Sequence, residues 1–267
     1  MNTIYTTGVI ESLELGWGKG WLSPGGNDEL ERLLDGIEIH GKSILDIGVG
    51  TGGPALALLG KFGAEHVTGV DVEQSVIDRA LELARIQGLQ DRLELHCVQP
   101  GPLPFTGEKF DVVFSKDSFI HIADKRTLFD EVHRVLRPNG IFVFSDWCCG
   151  TPPYSEEMEQ FFENGMRFST ATAGDNIDHM VQSGFRDICV RDRNAWFTEN
   201  SEREYQRAIG SNREKMVGMF GEEKADSIAA AAKRRVVIGS QGQLRPTHFS
   251  TRAEKNPCPG SEKYGES

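Results

Sequence analysis

The sequence predicts an α/β fold: one mostly parallel sheet with helices on both faces. Three observations predict it. Short apolar runs alternate with helical stretches from residue 43 to residue 146, and the connections between them are short. The runs are nearly continuous in apolar residues, as in SILDI (43–47) and FDVVFS (110–115), which is how strands covered on both faces read. The first run leads directly into a glycine-rich turn and a helix, an order that places a ligand at the carboxyl end of a parallel strand.

Residues 1–26, ending in GWGKGWLSPGG, read as an N-terminal helix and a loop. Residues 27–40 read as a helix: Asn27 caps it, and Leu30, Leu33, Leu34 and Ile37 recur at helical spacing. The strands then fall at 43–47, 66–71 (HVTGVD), 93–98, 110–115 and 140–146 (GIFVFSD). Helices are expected at 54–62, 74–87 and 125–136, the last ending before Pro138 and Gly140. After Trp147 the pattern changes. Residues 150–183 hold a helix, a loop and a helix; 185–192 (FRDICVRD) read as a strand; 200–235 are helical and charged. A last strand is expected at 243–251, with Pro246 marking an edge position. The segment 254–267 is poor in apolar residues and is expected to be disordered. The reading is one domain over 1–253. Residues 1–26 form a lid, and a helical lid insertion supplies cap elements at about 150–183 and 200–235.

Composition narrows the function classes. With 38% hydrophobic and 26% charged residues the chain reads as an ordinary soluble globular protein. A net charge of −11 argues against a nucleic-acid partner, and no apolar run reaches the ~18 residues of a membrane span. No leader is expected at the N-terminus, and five unpatterned cysteines fit a reducing cytosol, so the expected location is cytoplasmic. The adjacent Cys148 and Cys149 read as buried residues. No cluster has metal-ligand spacing, and no metal is expected. The densest basic cluster, Lys233 to Arg235, complements a helix C-terminus or contacts an anion.

The turn after the first strand is Asp46-Ile47-Gly48-Val49-Gly50-Thr51-Gly52-Gly53. Its glycines allow a ligand to approach the backbone closely, and the helix that follows offers free N–H groups. Such a turn alone is a weak signal, since nicotinamide enzymes carry one too. Asp71 sharpens it by ending the second strand about twenty residues on, where a carboxylate can take two ribose hydroxyls. The pattern is like that of class I methyltransferases, with a Rossmann-like sheet. That likeness implies S-adenosylmethionine as cofactor, held by Asp46, Gly48, Gly50, Gly52, Asp71 and Val72. Gln99 and Pro100, after the third strand, stand where the class has an aspartate and an apolar residue touching adenine. Ser115, ending the fourth strand, joins the set.

Four segments make the sequence resemble a narrower family, the phosphoethanolamine N-methyltransferases. They are WGKGWLSPGG (17–26), the cofactor turn, FSKDSFIHI (114–122) and SDWC (145–148). Weaker similarity extends the resemblance over most of 5–252. It implies catalytic roles for His121, for Tyr5, which precedes Trp17 by twelve positions, and for Asp117, and a cofactor contact for Ser23. A histidine titrates near neutral pH and suits taking a proton. Tyr5 can close over the acceptor and bond His121; Asp117 can hold the amine, orient His121 or cap a helix. His133 reads as a surface or packing residue.

The departures bear on the acceptor. The family closes on a phosphate with tyrosines, an arginine and a lysine. Here Trp147, Phe162, Met166 and Phe168 replace three tyrosines and the arginine, and Arg235 falls near the lysine. Charge-assisted bonds to phosphate are strong, and a site without them binds phosphate poorly. The expected reaction is therefore N-methylation of a small-molecule amine other than phosphoethanolamine. Trp17, Trp147, Phe162, Met166, Phe168 and Arg235 would line the pocket. The alternatives are O- or C-methylation of an apolar scaffold, and a non-catalytic cofactor-binding module. The oligomeric state is left open.

Overall fold

Alternating side chains decide which face of the sheet each residue serves. In β1 (Ser43–Ile47), Ile44 points to one core, and Leu45 and Ile47 to the other. In β4 (Phe110–Lys116) the same split separates Val112 and Phe114 from Phe110 and Val113. Both faces are therefore buried. The computed structural model describes residues 4–163 and 168–253.

Among the described residues, β1 and β4 are joined by β2 (His66–Asp71), β3 (Leu93–Cys97), β5 (Leu136–Cys149), β6 (Arg186–Asp192) and β7 (Leu244–Arg252). They form one seven-stranded sheet in the order β3-β2-β1-β4-β5-β7-β6. The first five strands are parallel, and β7 runs antiparallel between β5 and β6. On one face lie α2 (Gly26–Leu33), α3 (Gly53–Gly60) and α4 (Gln74–Gln87), through Leu30, Ala55, Leu58 and Ile77. On the other lie α5 (Lys125–Val135) and α7 (Ala173–Gln182), through Phe129, Val132 and Met180. Phe142, Phe144 and Phe249 stack there at 4.6 and 4.7 Å between ring centroids.

A third layer stands over the carboxyl ends of the strands. It contains α1 (Thr7–Trp17), α6 (Glu156–Phe162), α8 (Asn194–Ile209), α9 (Arg213–Phe220) and α10 (Glu222–Ser240). Its apolar contacts to the sheet run through Trp147, Met158, Phe161, Phe197 and Ile238.

Three sequence expectations are corrected. The last strand, β7, is interior, and β6 is the edge. Pro246 is accommodated because β6 has ended opposite it: the last β6–β7 pair is Asp192 with Thr247, and Arg193 N–H donates to the Pro246 carbonyl at 2.8 Å. Second, α7 packs on the sheet beside Phe142 and Phe185 rather than in the cap. Third, β5 begins at Leu136 and runs to Cys149, well past 140–146 at both ends. No helix among the described residues is long and apolar enough to cross a membrane. The segment 254–267, which the sequence reads as disordered, lies outside the described residues, as do Met166 and Cys258.

Candidate active site

Parallel pairing brings the carboxyl ends of β1, β2 and β4 to one edge of the sheet. The turn after β1 is held there by close packing. A Cβ on Gly48 would lie 2.4 Å from the side chain of Ser118, and one on Gly53 would lie 2.3 Å from the carbonyl oxygen of Gly20. Gly53 N–H donates to that carbonyl at 2.8 Å, so the loop before α2 is tied to the start of α3. Gly48 thus leaves room for the Ser118 side chain, and Gly53 lets two backbone segments touch.

Asp71 closes the turn. Its Oδ2 accepts Gly50 N–H at 2.9 Å and its Oδ1 accepts Glu73 N–H at 3.1 Å. Each carboxylate oxygen keeps a lone pair for a further donor. Burial raises its pKa, against the lowering effect of those N–H groups. Asp46 is 1% exposed, and its Oδ2 has no hydrogen-bond partner. Burial, then the charge of Asp71, pushes its pKa well above the ordinary carboxylate range. Val72, a large apolar side chain left 49% exposed, follows directly, and exposed Gln99 and Pro100 stand at the end of neighbouring β3. A buried acid with an orphaned oxygen and a half-buried acid, beside an exposed apolar shelf, complement a cationic, hydroxyl-bearing ligand with a flat ring. Ser115 is not free to join them. It is fully buried, and its hydroxyl contacts the Ile47 carbonyl at 2.8 Å and Ser118 Oγ at 2.6 Å, pinning β4 to β1.

Beyond the carboxyl end of β4, a short 3-10 turn (Phe119–His121) carries His121. Tyr5 Oη lies 3.2 Å from His121 Nε2, with the two rings edge to face. Burial, then Asp71 and Glu73, raises the Tyr5 pKa, so the phenol keeps its proton at neutral pH. Ser75 Oγ donates to the Tyr5 carbonyl at 2.7 Å, and Ile4 N–H donates to Glu73 at 3.0 Å. Asp117 sits elsewhere in the design. Its backbone is left-handed, with φ of 56°, and its carboxylate accepts from Lys116 Nζ at 2.5 Å and Ser145 Oγ at 2.7 Å. Lys116 Nζ also donates to Ser23 Oγ at 2.7 Å and the Pro24 carbonyl at 3.0 Å. Burial opposes ionising Asp117, but Lys116 and the two hydroxyls outweigh it and hold its pKa below the ordinary value. The Lys116–Asp117 pair thus locks the lid loop through Ser23.

A cavity of about 400 Å³ lies beyond Phe168, whose ring packs on His121. Phe168 faces the His121 ring at 5.3 Å and stacks on Phe161 at 4.7 Å, and Trp147 lies 6.2 Å from Phe161. The predicted Trp17, Trp147, Phe168 and Arg235 all line this cavity. Phe162 does not: its ring packs edge to face on Tyr154 at 5.4 Å, and Phe161 takes the inward position. A one-residue offset on a helix turns a side chain through about 100°, which gap-free counting does not see. His133 packs edge to face on Phe185 at 5.2 Å, as a packing residue does.

Sequence reasoning missed Lys116, Phe161, Glu204 and the pair Lys125–Asp146. Lys116 had a signal, a lysine ending a buried strand one residue before Asp117. Glu204 had none, because Glu199 and Glu202 share its helix and only contact with Trp17 and Arg235 buries it. Among the described residues no group of histidine, cysteine and carboxylate side chains could hold a metal ion.

Residues 45–144 match the model of a methyltransferase domain. Phosphoethanolamine N-methyltransferase 1 of Arabidopsis thaliana is 28% identical over 237 residues, 88% of this chain and 47% of the relative. The chain spans about half the length of the plant relatives it matches. The Plasmodium falciparum phosphoethanolamine N-methyltransferase is 24% identical over 259 residues, 96% of this chain and 94% of the relative. The Haemonchus contortus phosphoethanolamine N-methyltransferase 2, solved with phosphomonomethylethanolamine and S-adenosylhomocysteine, superposes with a TM-score of 0.88 at 26% identity. That match covers 95% of this chain and 59% of the solved one.

Proposed function

From the premise of a class I S-adenosylmethionine-dependent methyltransferase that resembles the phosphoethanolamine N-methyltransferases, we propose N-methylation of a small-molecule amine that carries no phosphate. The observation that carries this reading is the acceptor cavity. The rings of Trp147, Phe161 and Phe168 that line it carry no hydroxyl group, and Arg235 is already matched by Glu204 at 2.8 Å. A phosphate entering there would lose water, and the half-buried guanidinium it meets, that of Arg235, is already paired. An uncharged or cationic amine gains apolar burial and cation–π contact with Trp147, Phe161 and Phe168.

The cofactor fits the residues present. The orphaned Asp46 oxygen complements its ammonium group, Asp71 its ribose hydroxyls, and Val72, Gln99 and Pro100 its adenine. When bound, S-adenosylmethionine supplies a methyl group on a positively charged sulfur, open to in-line displacement. The protein supplies alignment and a place for the acceptor's proton. With His121 neutral and its ring proton on Nδ1, the neutral Tyr5 phenol would donate to His121 Nε2. A proton leaving the amine arrives at Tyr5 Oη while the phenolic proton passes to His121 Nε2. Tyr5, carried into the site just before α1, also shuts out water.

The test is transfer from methyl-labelled S-adenosylmethionine to a panel of phosphate-free amines, followed by mass spectrometry. His121→Ala is expected to slow turnover by about 10²–10⁴-fold with cofactor affinity little changed. Equal turnover in that variant removes His121 from the mechanism.

A further inference from the structure

The acceptor cavity holds a buried ion pair that the proton path does not use. Glu204 of α8 and Arg235 of α10 meet at 2.8 Å between Oε2 and Nη2. Glu204 is 8% exposed. Its other oxygen accepts from Trp17 Nε1 at 2.9 Å and Asn200 Nδ2 at 2.6 Å, so both oxygens are engaged. The Arg235 guanidinium also lies 5.8 Å from the Trp17 ring centroid. Trp17, Glu204 and Arg235 line the same cavity as Trp147 and Phe168.

An unpaired guanidinium on a cavity wall is a strong receptor for phosphate or carboxylate. Paired with a carboxylate away from water, it presents no net charge, and an incoming anion is repelled by the carboxylate as much as it is drawn by the guanidinium. The other cations on the cavity do not replace it. Arg207 and Lys224 are exposed, where water and salt screen them, and Arg234 donates to Gln160 at 3.1 Å.

We propose that Glu204 is a specificity-determining residue: it cancels the charge of Arg235 and so closes the pocket to acceptors with an anionic head group. The inference rests on the methyltransferase reading above and assigns its acceptor preference to one side chain. Glu204→Gln keeps an acceptor oxygen for Trp17 and removes the charge. Wild type and variant are each given methyl-labelled S-adenosylmethionine and phosphoethanolamine, with cofactor binding measured in the same samples. The expected result is little label in phosphoethanolamine with wild type, at least a tenfold higher rate with Glu204→Gln, and loss of that gain when Arg235→Met is added. Glu204→Met carries the same expectation should the amide variant not hold its cofactor. A variant that binds cofactor yet gains no transfer overturns the role of Glu204. Efficient labelling of phosphoethanolamine by wild type overturns instead the reading of the acceptor on which it rests.

Discussion

At the scale of single residues, the site is a set of buried polar groups whose costs are visible. Asp46 is the clearest. It is buried beside Asp71 with an oxygen that nothing in the protein satisfies, and its pKa is raised by burial. A carboxyl group whose folded pKa lies above its unfolded value contributes stability below the unfolded pKa and loses it as pH rises through the folded one. Raising the pH towards 7 therefore costs the free protein stability at Asp46. Asp46→Asn is expected to raise the urea midpoint of the cofactor-free protein at pH 7, to raise it less at pH 5, and to weaken cofactor binding. A lower midpoint at pH 7 would remove this account of Asp46. Asp46 and Asp71 were legible because the spacing of the glycine turn places them at strand ends, whereas His121 and Tyr5 were singled out through the family resemblance. The partners of Asp117 were less legible. Its pairing with Lys116 and Ser145 depends on a left-handed backbone at Asp117 that no residue type announces.

At the scale of elements, the turn that carries His121 is fastened from behind. Lys125, at the start of α5, donates to the Phe119 carbonyl at 2.6 Å and pairs with Asp146 of β5 at 3.2 Å. Both side chains are buried, at 3% and 0% exposure. The Phe119–His121 turn, α5 and the strand that presents Trp147 thus share one anchor. Removing one partner of a buried pair leaves an uncompensated charge, at a cost of about 3–5 kcal/mol. Lys125→Met is expected to destabilise by that order in urea unfolding. Burial already raises the Asp146 pKa, and without Lys125 it rises further. The group's contribution survives at low pH and is lost as pH rises, so the loss should be larger at pH 8 than at pH 5. Adding Asp146→Asn should recover part of it; a double variant no more stable than the single one would contradict the pairing. The strands from Ser43 to Asp71 and helix α4 were legible to the residue, since apolar runs and glycine turns bound them. The place of β7 was not, because a proline reads as an edge signal wherever the neighbouring strand happens to stop.

At the scale of the molecule, the sheet and its cap divide the work. Strand ends hold the residues proposed for the cofactor, and α1, α6, α8, α9 and α10 build the cavity proposed for the acceptor. The sheet is the more legible half, since period-two patterning and short connections constrain it locally. The cap is long-range: Trp17, Glu204 and Arg235 meet from three helices far apart in sequence, and their charges cancel only in three dimensions. That cancellation separates this chain from what its resemblance alone implies. The most direct test gives the wild-type protein equal amounts of phosphoethanolamine and 2-phenylethylamine with methyl-labelled S-adenosylmethionine, and confirms cofactor binding in the same sample. The account predicts label in the methylated aromatic amine and none above background in phosphoethanolamine. Label carried mainly by methylated phosphoethanolamine would contradict it.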